Sequence, residues 1–297
     1  MRAADTRFRW SGDYLSVALL DAVASDLAKQ IPPGTARFNF TMHSVIIRYF
    51  LGDEWFKEHL LPNARHDSFL RPDFEKQDVD PRFSVLTLEL AENLLNLQTV
   101  QGFRTCLDHM AVRQMQSGLC ELQIGHVLRS RGVPFRYVDE GEPTTVDLIL
   151  QTQSGDEGLG EIKCKYEGAE YSKKTLRGAL ERARKQIGKG NEGVVFVKLP
   201  SAWLKVVSRG GGDPPQIILP AEIVATAKDQ MRQASRIKKV IFYVFHHMCD
   251  PARGLGVTHA TMEMTSSRLT EGSPWRAELL SGSGPWTTMQ ELSRRWT

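Results

Sequence analysis

The sequence predicts an α/β domain preceded by a mainly helical region. Three observations carry this: helical periodicity through the first third of the chain, a change to short β-rich runs near Phe135, and a return to alternating helix and strand patterns from Lys173 onward. Leu15, Leu19, Val23 and Leu27 recur at helical spacing and predict a helix within residues 11–30. A second helix, with crowded apolar positions, is expected over 44–61. Residues 62–81, rich in Asp, Arg and Pro, read as a linker or long surface loop. Helices are then predicted over 85–97, 102–110 and 114–131, the last stopping at Gly132 before Pro134.

Beyond that point the runs 135–138, 146–150 and 160–166 are of strand length and are separated by Gly, Glu, Pro and Ser clusters, as expected of adjacent strands. Residues 173–187 return to helical spacing, with Leu176, Leu180, Ala183 and Ile187 on one stripe. The following run, 193–199, is almost continuously apolar and predicts a strand buried on both faces. A short helix near 201–206, a Gly/Pro loop at 210–215, a helix at 221–235 and strands at 239–245 and 258–264 complete the pattern. From Ser266 no period is visible, and a loosely held tail is expected. The implied organisation is a helical region over 1–113, an α/β domain over 114–265 and a tail over 266–297.

Composition narrows the function. The 297 residues are 41% hydrophobic and 25% charged, as in ordinary globular proteins, and the formal net charge of +3 is too small to signal a nucleic-acid binder by bulk charge. Cys106, Cys120, Cys164 and Cys249 form no CxxC pair, so neither a zinc ribbon nor a disulfide framework is predicted, and four thiols in a reducing compartment are expected. The N-terminus makes a poor secretory segment, and Val240 to Phe245 falls far short of the roughly 18 apolar residues of a membrane span, so a cytoplasmic protein is expected. No GxGxxG follows a predicted strand, and no phosphate-binding GK[ST] loop, GxSxG or HExxH occurs. His246, His247, Cys249 and His259 do not make a metal site on a regular strand, because adjacent residues point to opposite faces. Trp203, Trp275, Trp286 and Trp296 are expected to pack in a core or interface rather than stack on bases.

The informative residues are polar exceptions inside strands. Asp147 interrupts TTVDLIL, where a charge must be paired, metal-bound or at a strand end. In GEIKCKY, alternation puts Glu161, Lys163 and Lys165 on one face, which on a half-exposed strand would be a solvated surface. Chemistry offers a sharper alternative. Two carboxylates from neighbouring strands suit a hard cation such as Mg²⁺, and an adjacent ammonium can orient water and stabilise growing negative charge.

An Asp on one strand, Glu-x-Lys on the next, a preceding helix with Glu121 and a following helix with Gln186 together resemble the PD-(D/E)XK nuclease superfamily over residues 114–199. The residue before Asp147 is Val146 rather than Pro, a position that varies in the superfamily. The resemblance implies a restriction-endonuclease-like core, a central mixed sheet flanked by helices. It implies that Asp147, Glu161 and the main-chain carbonyl of Ile162 hold Mg²⁺, or Mn²⁺ in its place, with Glu121 supporting a second metal or its water shell. Lys163 would position or activate water, and Gln186 would orient Lys163 or the substrate.

Local charge agrees. Residues 160–190 carry nine bases against four acids, and Lys165, Lys173, Lys174, Arg177 and Arg184 are candidates to meet backbone phosphates. The expected function is Mg²⁺-dependent hydrolysis of DNA phosphodiesters, with RNA also chemically admissible. The alternatives are a catalytically inactive nuclease-fold module within a defence, repair or transposition complex, and an interaction protein with a protein partner or a second copy of itself.

Overall fold

The computed structural model describes residues 12–60, 81–112, 115–139, 142, 146–152, 154–165, 169–207, 216–250 and 254–297. The predicted linker at 62–81 lies outside these but for its last residue, as does the predicted loop at 210–215. The chain folds into two compact units that do not follow the expected boundaries: Met1–His126, His247–Thr258 and Pro285–Thr297 make one, and Val127–His246 with His259–Gly284 make the other.

The first unit is helical. Helix α1 (Val17–Ala28) starts where the Ser16 hydroxyl accepts from Leu19 N, satisfying one of the donors every helix start leaves open. Helix α2 (Ala36–Leu60) is kinked at Gly52, whose φ of 81° and ψ of 164° break the helical path in a conformation that glycine adopts without a Cβ penalty. Helices α3 (Pro81–Leu97), α4 (Phe103–Val112) and α5 (Met115–Ser130) follow in the predicted order. Phe38, Met42, Ile46, Leu94, Phe103 and Leu122 fill the core, with Phe50 edge-on to Phe103 at 5.8 Å. This core also buries a polar network. Gln123 donates to Glu89 at 2.6 Å, and His126 Nδ1 lies 3.2 Å from Asn93 Oδ1.

The second unit is built on a six-stranded mixed sheet in the order β1-β2-β3-β4-β7-β8, flanked by helices, with β8 (Gly254–Thr265) at one edge. Strands β1 (Phe135–Tyr137), β2 (Leu148–Gln151) and β3 (Glu157–Cys164) pair antiparallel, and β3, β4 (Gly193–Lys198) and β7 (Ile237–Asp250) pair parallel. Each parallel step needs a crossover, supplied by α6 (Lys173–Ile187) and α7 (Ala221–Gln233). Leu176, Leu180, Ala183 and Ile187 of α6 and Ile223, Ala227 and Met231 of α7 pack on Val195, Val197, Val240 and Phe242. Val194, Phe196, Ile241 and Tyr243 are buried on the opposite face, so β4 is covered on both sides as its composition predicts.

Three expectations are corrected. The helix expected at 201–206 is a single 3₁₀ turn (Ser201–Trp203) followed by β5 (Lys205–Val207), which pairs antiparallel with β6 (Gln216–Ile218), a strand too short to register as a period. The tail is well packed. In the second unit, Trp275 is buried over Gly158 and donates Nε1 to Glu192 at 2.9 Å. In the first, Asn96 clamps both the N–H and the C=O of Thr287 at 2.8 Å, and helix α8 (Met289–Trp296) opens with a Thr288/Glu291 capping box. Trp296 donates to Asp21 at 2.9 Å. Finally, Cys120 and Cys164 each enter a disulfide rather than standing as thiols, whereas Cys106 is a buried thiol. Cysteine spacing alone carries no information about which thiols the fold oxidises.

Candidate active site

The centre is built on the second unit where β2 stops short. The last β2–β3 pair is Leu148 with Gly160, and Asp147 N still donates to Gly160 O. On the other edge of β3, Leu159 N donates to Glu192 O just before β4 and Lys165 N to Lys198 O at its end, so odd-numbered main-chain groups face β4 and even-numbered ones face β2. Ile162 therefore turns its N–H and C=O toward the place β2 has vacated. Its N–H is taken by Asp147 Oδ2 at 2.7 Å, which fixes the carboxylate beside β3.

Glu161 and Lys163 pair with Val195 and Val197 of β4 and so share the face covered by α6 and α7. A solvated face is ruled out, because Glu161 is 1% exposed. Its Oε1 accepts from Lys163 Nζ, and its Oε2 is buried with no hydrogen-bond partner. Burial first, and the neighbouring Asp147 carboxylate second, push the Glu161 carboxyl up to about 8. Lys163 Nζ also donates to Gln186 Oε1 at 2.7 Å, which ties the last turn of α6 to the centre.

The predicted residues thus divide. Asp147, Glu161, Ile162, Lys163 and Gln186 are brought together. Glu121, on α5, is buried in the first unit, with its carboxylate 3.5 Å from His109 Nδ1. Among the basic residues, Lys173 and Lys174 are exposed in the first turn of α6, and Arg177 is exposed but ion-paired to Glu181 at 2.9 Å. Arg184 is half-buried, and its main-chain oxygen accepts from Arg236 at 3.2 Å. Lys165 is buried, and that burial, followed by the charges of Arg182 and Lys163, lowers its pKa. Arg182 was not singled out by sequence. Its signal is the step from Lys174 to Gly178 to Arg182, which shares one outward helix face.

Among the described residues no group of three or more His, Cys, Asp or Glu side chains gathers as a metal cluster. The donor set is two carboxylates and a main-chain carbonyl, all oxygen, which suits a hard divalent cation with waters filling its shell. The buried, unpartnered Glu161 Oε2 fits that donor set. Among the described residues no helix is long and apolar enough to cross a membrane. Compared with known proteins, the chain matches no family model, no curated protein and no solved structure.

Proposed function

We propose that the chain is a Mg²⁺-dependent deoxyribonuclease of the PD-(D/E)XK type with a restriction-endonuclease-like core. The observation that carries this reading is the convergence of Asp147, Glu161 and Lys163 on neighbouring strands under α6, with a buried Glu161 oxygen left unpartnered. Buried unpaired carboxylate oxygens are costly, and a site that retains one is suited to receive a cation.

Asp147, Glu161 and the Ile162 carbonyl would hold the metal. When bound there, a divalent cation supplies Lewis acidity toward the phosphoryl oxygens and lowers the pKa of bound water. Lys163 then has two tasks for its ammonium: holding the attacking water in line with the phosphorus, and donating to the non-bridging oxygen on which negative charge grows. Gln186 fixes the direction of that ammonium from α6. Water adds to phosphorus, the P–O bond to the departing sugar breaks, and the proton from the water passes to solvent while the leaving oxygen is reprotonated.

The test incubates the full chain with single- and double-stranded DNA and RNA in Mg²⁺ or Mn²⁺. Cleavage is expected, and Glu161→Ala and Lys163→Ala should each lower it at least a hundredfold. Variants as active as wild type would overturn the mechanism. A second reading, a nuclease-fold binding module without chemistry, draws on the fact that only two carboxylates, not three, meet in the described site. It predicts DNA affinity with no cleavage under any metal.

A further inference from the structure

Helices α3 and α5 of the first unit meet through two polar rungs. In the first, Gln123 Nε2 donates to Glu89 Oε1 at 2.6 Å, and in the second His126 Nδ1 lies 3.2 Å from Asn93 Oδ1. Glu89 and Asn93 stand one turn apart on α3, as do Gln123 and His126 on α5, so the rungs are neighbours on one shared face. All four side chains are buried, and Asn93 and Gln123 are 0% exposed.

Each rung uses one end of an amide and leaves the other end over. Gln123 Oε1, an acceptor, and Asn93 Nδ2, a donor, are buried without a hydrogen-bond partner among the described residues. Rotation rescues neither. Turning the Gln123 amide over would set its carbonyl against the Glu89 carboxylate, acceptor against acceptor. Turning Asn93 over would leave its oxygen unpaired in place of its nitrogen. Its partner His126 is itself held, with its ring stacked on Trp286 at a centroid distance of 3.8 Å. Buried polar groups without partners are costly, and two of them on adjacent rungs call for a guest.

The pair dictates the chemistry of that guest. A metal cation cannot accept the Asn93 N–H, and a bare anion has no proton to donate to Gln123 Oε1. The guest must donate one bond and accept another within the space of one helical turn, and water is the smallest molecule that does both. We propose that α3 and α5 enclose one ordered water that donates to Gln123 Oε1 and accepts from Asn93 Nδ2. It closes a hydrogen-bonded circuit from Glu89 through Gln123, the water and Asn93 to His126, tying the two helices at successive turns and steadying His126 against Trp286. This site lies wholly in the helical unit and does not depend on the metal chemistry proposed above.

The test is a crystal structure of the full chain, with Asn93→Leu and Asn93→Asp crystallised beside it. Wild type should show a single density peak within about 3.2 Å of both amide atoms. Asn93→Leu keeps the size but not the donor, and should lose the peak and lower Tm. Asn93→Asp keeps an acceptor for His126 and gives the water a second acceptor for its other proton, so the peak should remain. In wild type, an empty gap, a direct bond between Asn93 and Gln123, or a peak ringed by oxygens at metal-ligand distances would each overturn the proposal. Retention of the peak in Asn93→Leu, or its loss in Asn93→Asp, would overturn the part assigned to Asn93. If the leucine variant does not fold, wild type and the aspartate variant decide the matter.

Discussion

Gln186 reaches Lys163 from α6, and the consequence is testable at the level of one side chain. Gln186→Ala should lower kcat on the order of 10- to 100-fold with KM little changed, because it disturbs the aim of an ammonium and not the hold on the strand. Steady-state kinetics on one DNA substrate check this, and an equal loss in KM would mean that Gln186 binds substrate instead. A second residue-scale prediction concerns Glu92 on α3. Its Oε1 accepts from Met289 N at 2.6 Å, yet burial, the largest effect, raises its carboxyl to about 7 from an ordinary 4.5. The folded state therefore holds this proton more tightly than the unfolded chain does. Stability is highest below pH 4.5 as far as this group is concerned, falls as pH rises from 4.5 to about 7, and is flat above, for a total on the order of 3 kcal/mol. Glu92→Gln keeps an acceptor for Met289 and should remove that slope in denaturant titrations repeated across pH. Individual residues were unequally legible. The i, i+2 spacing placed Glu161, Lys163 and Lys165 on one face, but it could not show that α6 lies over that face, and so the solvated alternative stayed open until burial was seen.

Elements with a strong period were read nearly to the residue, α6 above all, because its apolar stripe has only one way to face a sheet. Leu180→Ala on that stripe should cost about 3–5 kcal/mol in unfolding free energy, since the side chain is fully buried between α6, α7 and the sheet. Chemical denaturation measures it, and a cost below 1 kcal/mol would mean that the helix is not clamped there. At the kink of α2, Gly52→Ala should destabilise by about 1–2 kcal/mol despite alanine's higher helix propensity, because φ is positive at that position. The tail escaped sequence reading for a physical reason. Its order comes from long-range side-chain-to-backbone bonds, Asn96 to Thr287 and Glu92 to Met289, and from single buried aromatics such as Trp275, none of which has a period.

For the molecule as a whole, the decisive measurement is linkage between metal and stability. Mg²⁺ or Mn²⁺ at a hundred times its dissociation constant should stabilise the chain by about 2.7 kcal/mol, read as a rise in Tm, and Asp147→Asn should abolish the rise while retaining the acceptor for Ile162 N. No shift in wild type would favour the binding-module reading. The net charge of +3 is also sharpened at this scale. It averages over a strongly basic segment at residues 160–190 that surrounds the centre, so DNA affinity should fall steeply with salt despite the near-neutral total. By itself the sequence determined the α/β class, the order of the main helices and strands and the identity of the candidate centre, because period and local charge are written in neighbouring residues. Tertiary structure alone decided that β2 stops short to free the main chain of Ile162, that Glu161 is buried beneath α6, and that the compact units interleave segments remote in sequence. Burial and pairing depend on what arrives from elsewhere in the chain, and no local pattern carries that information.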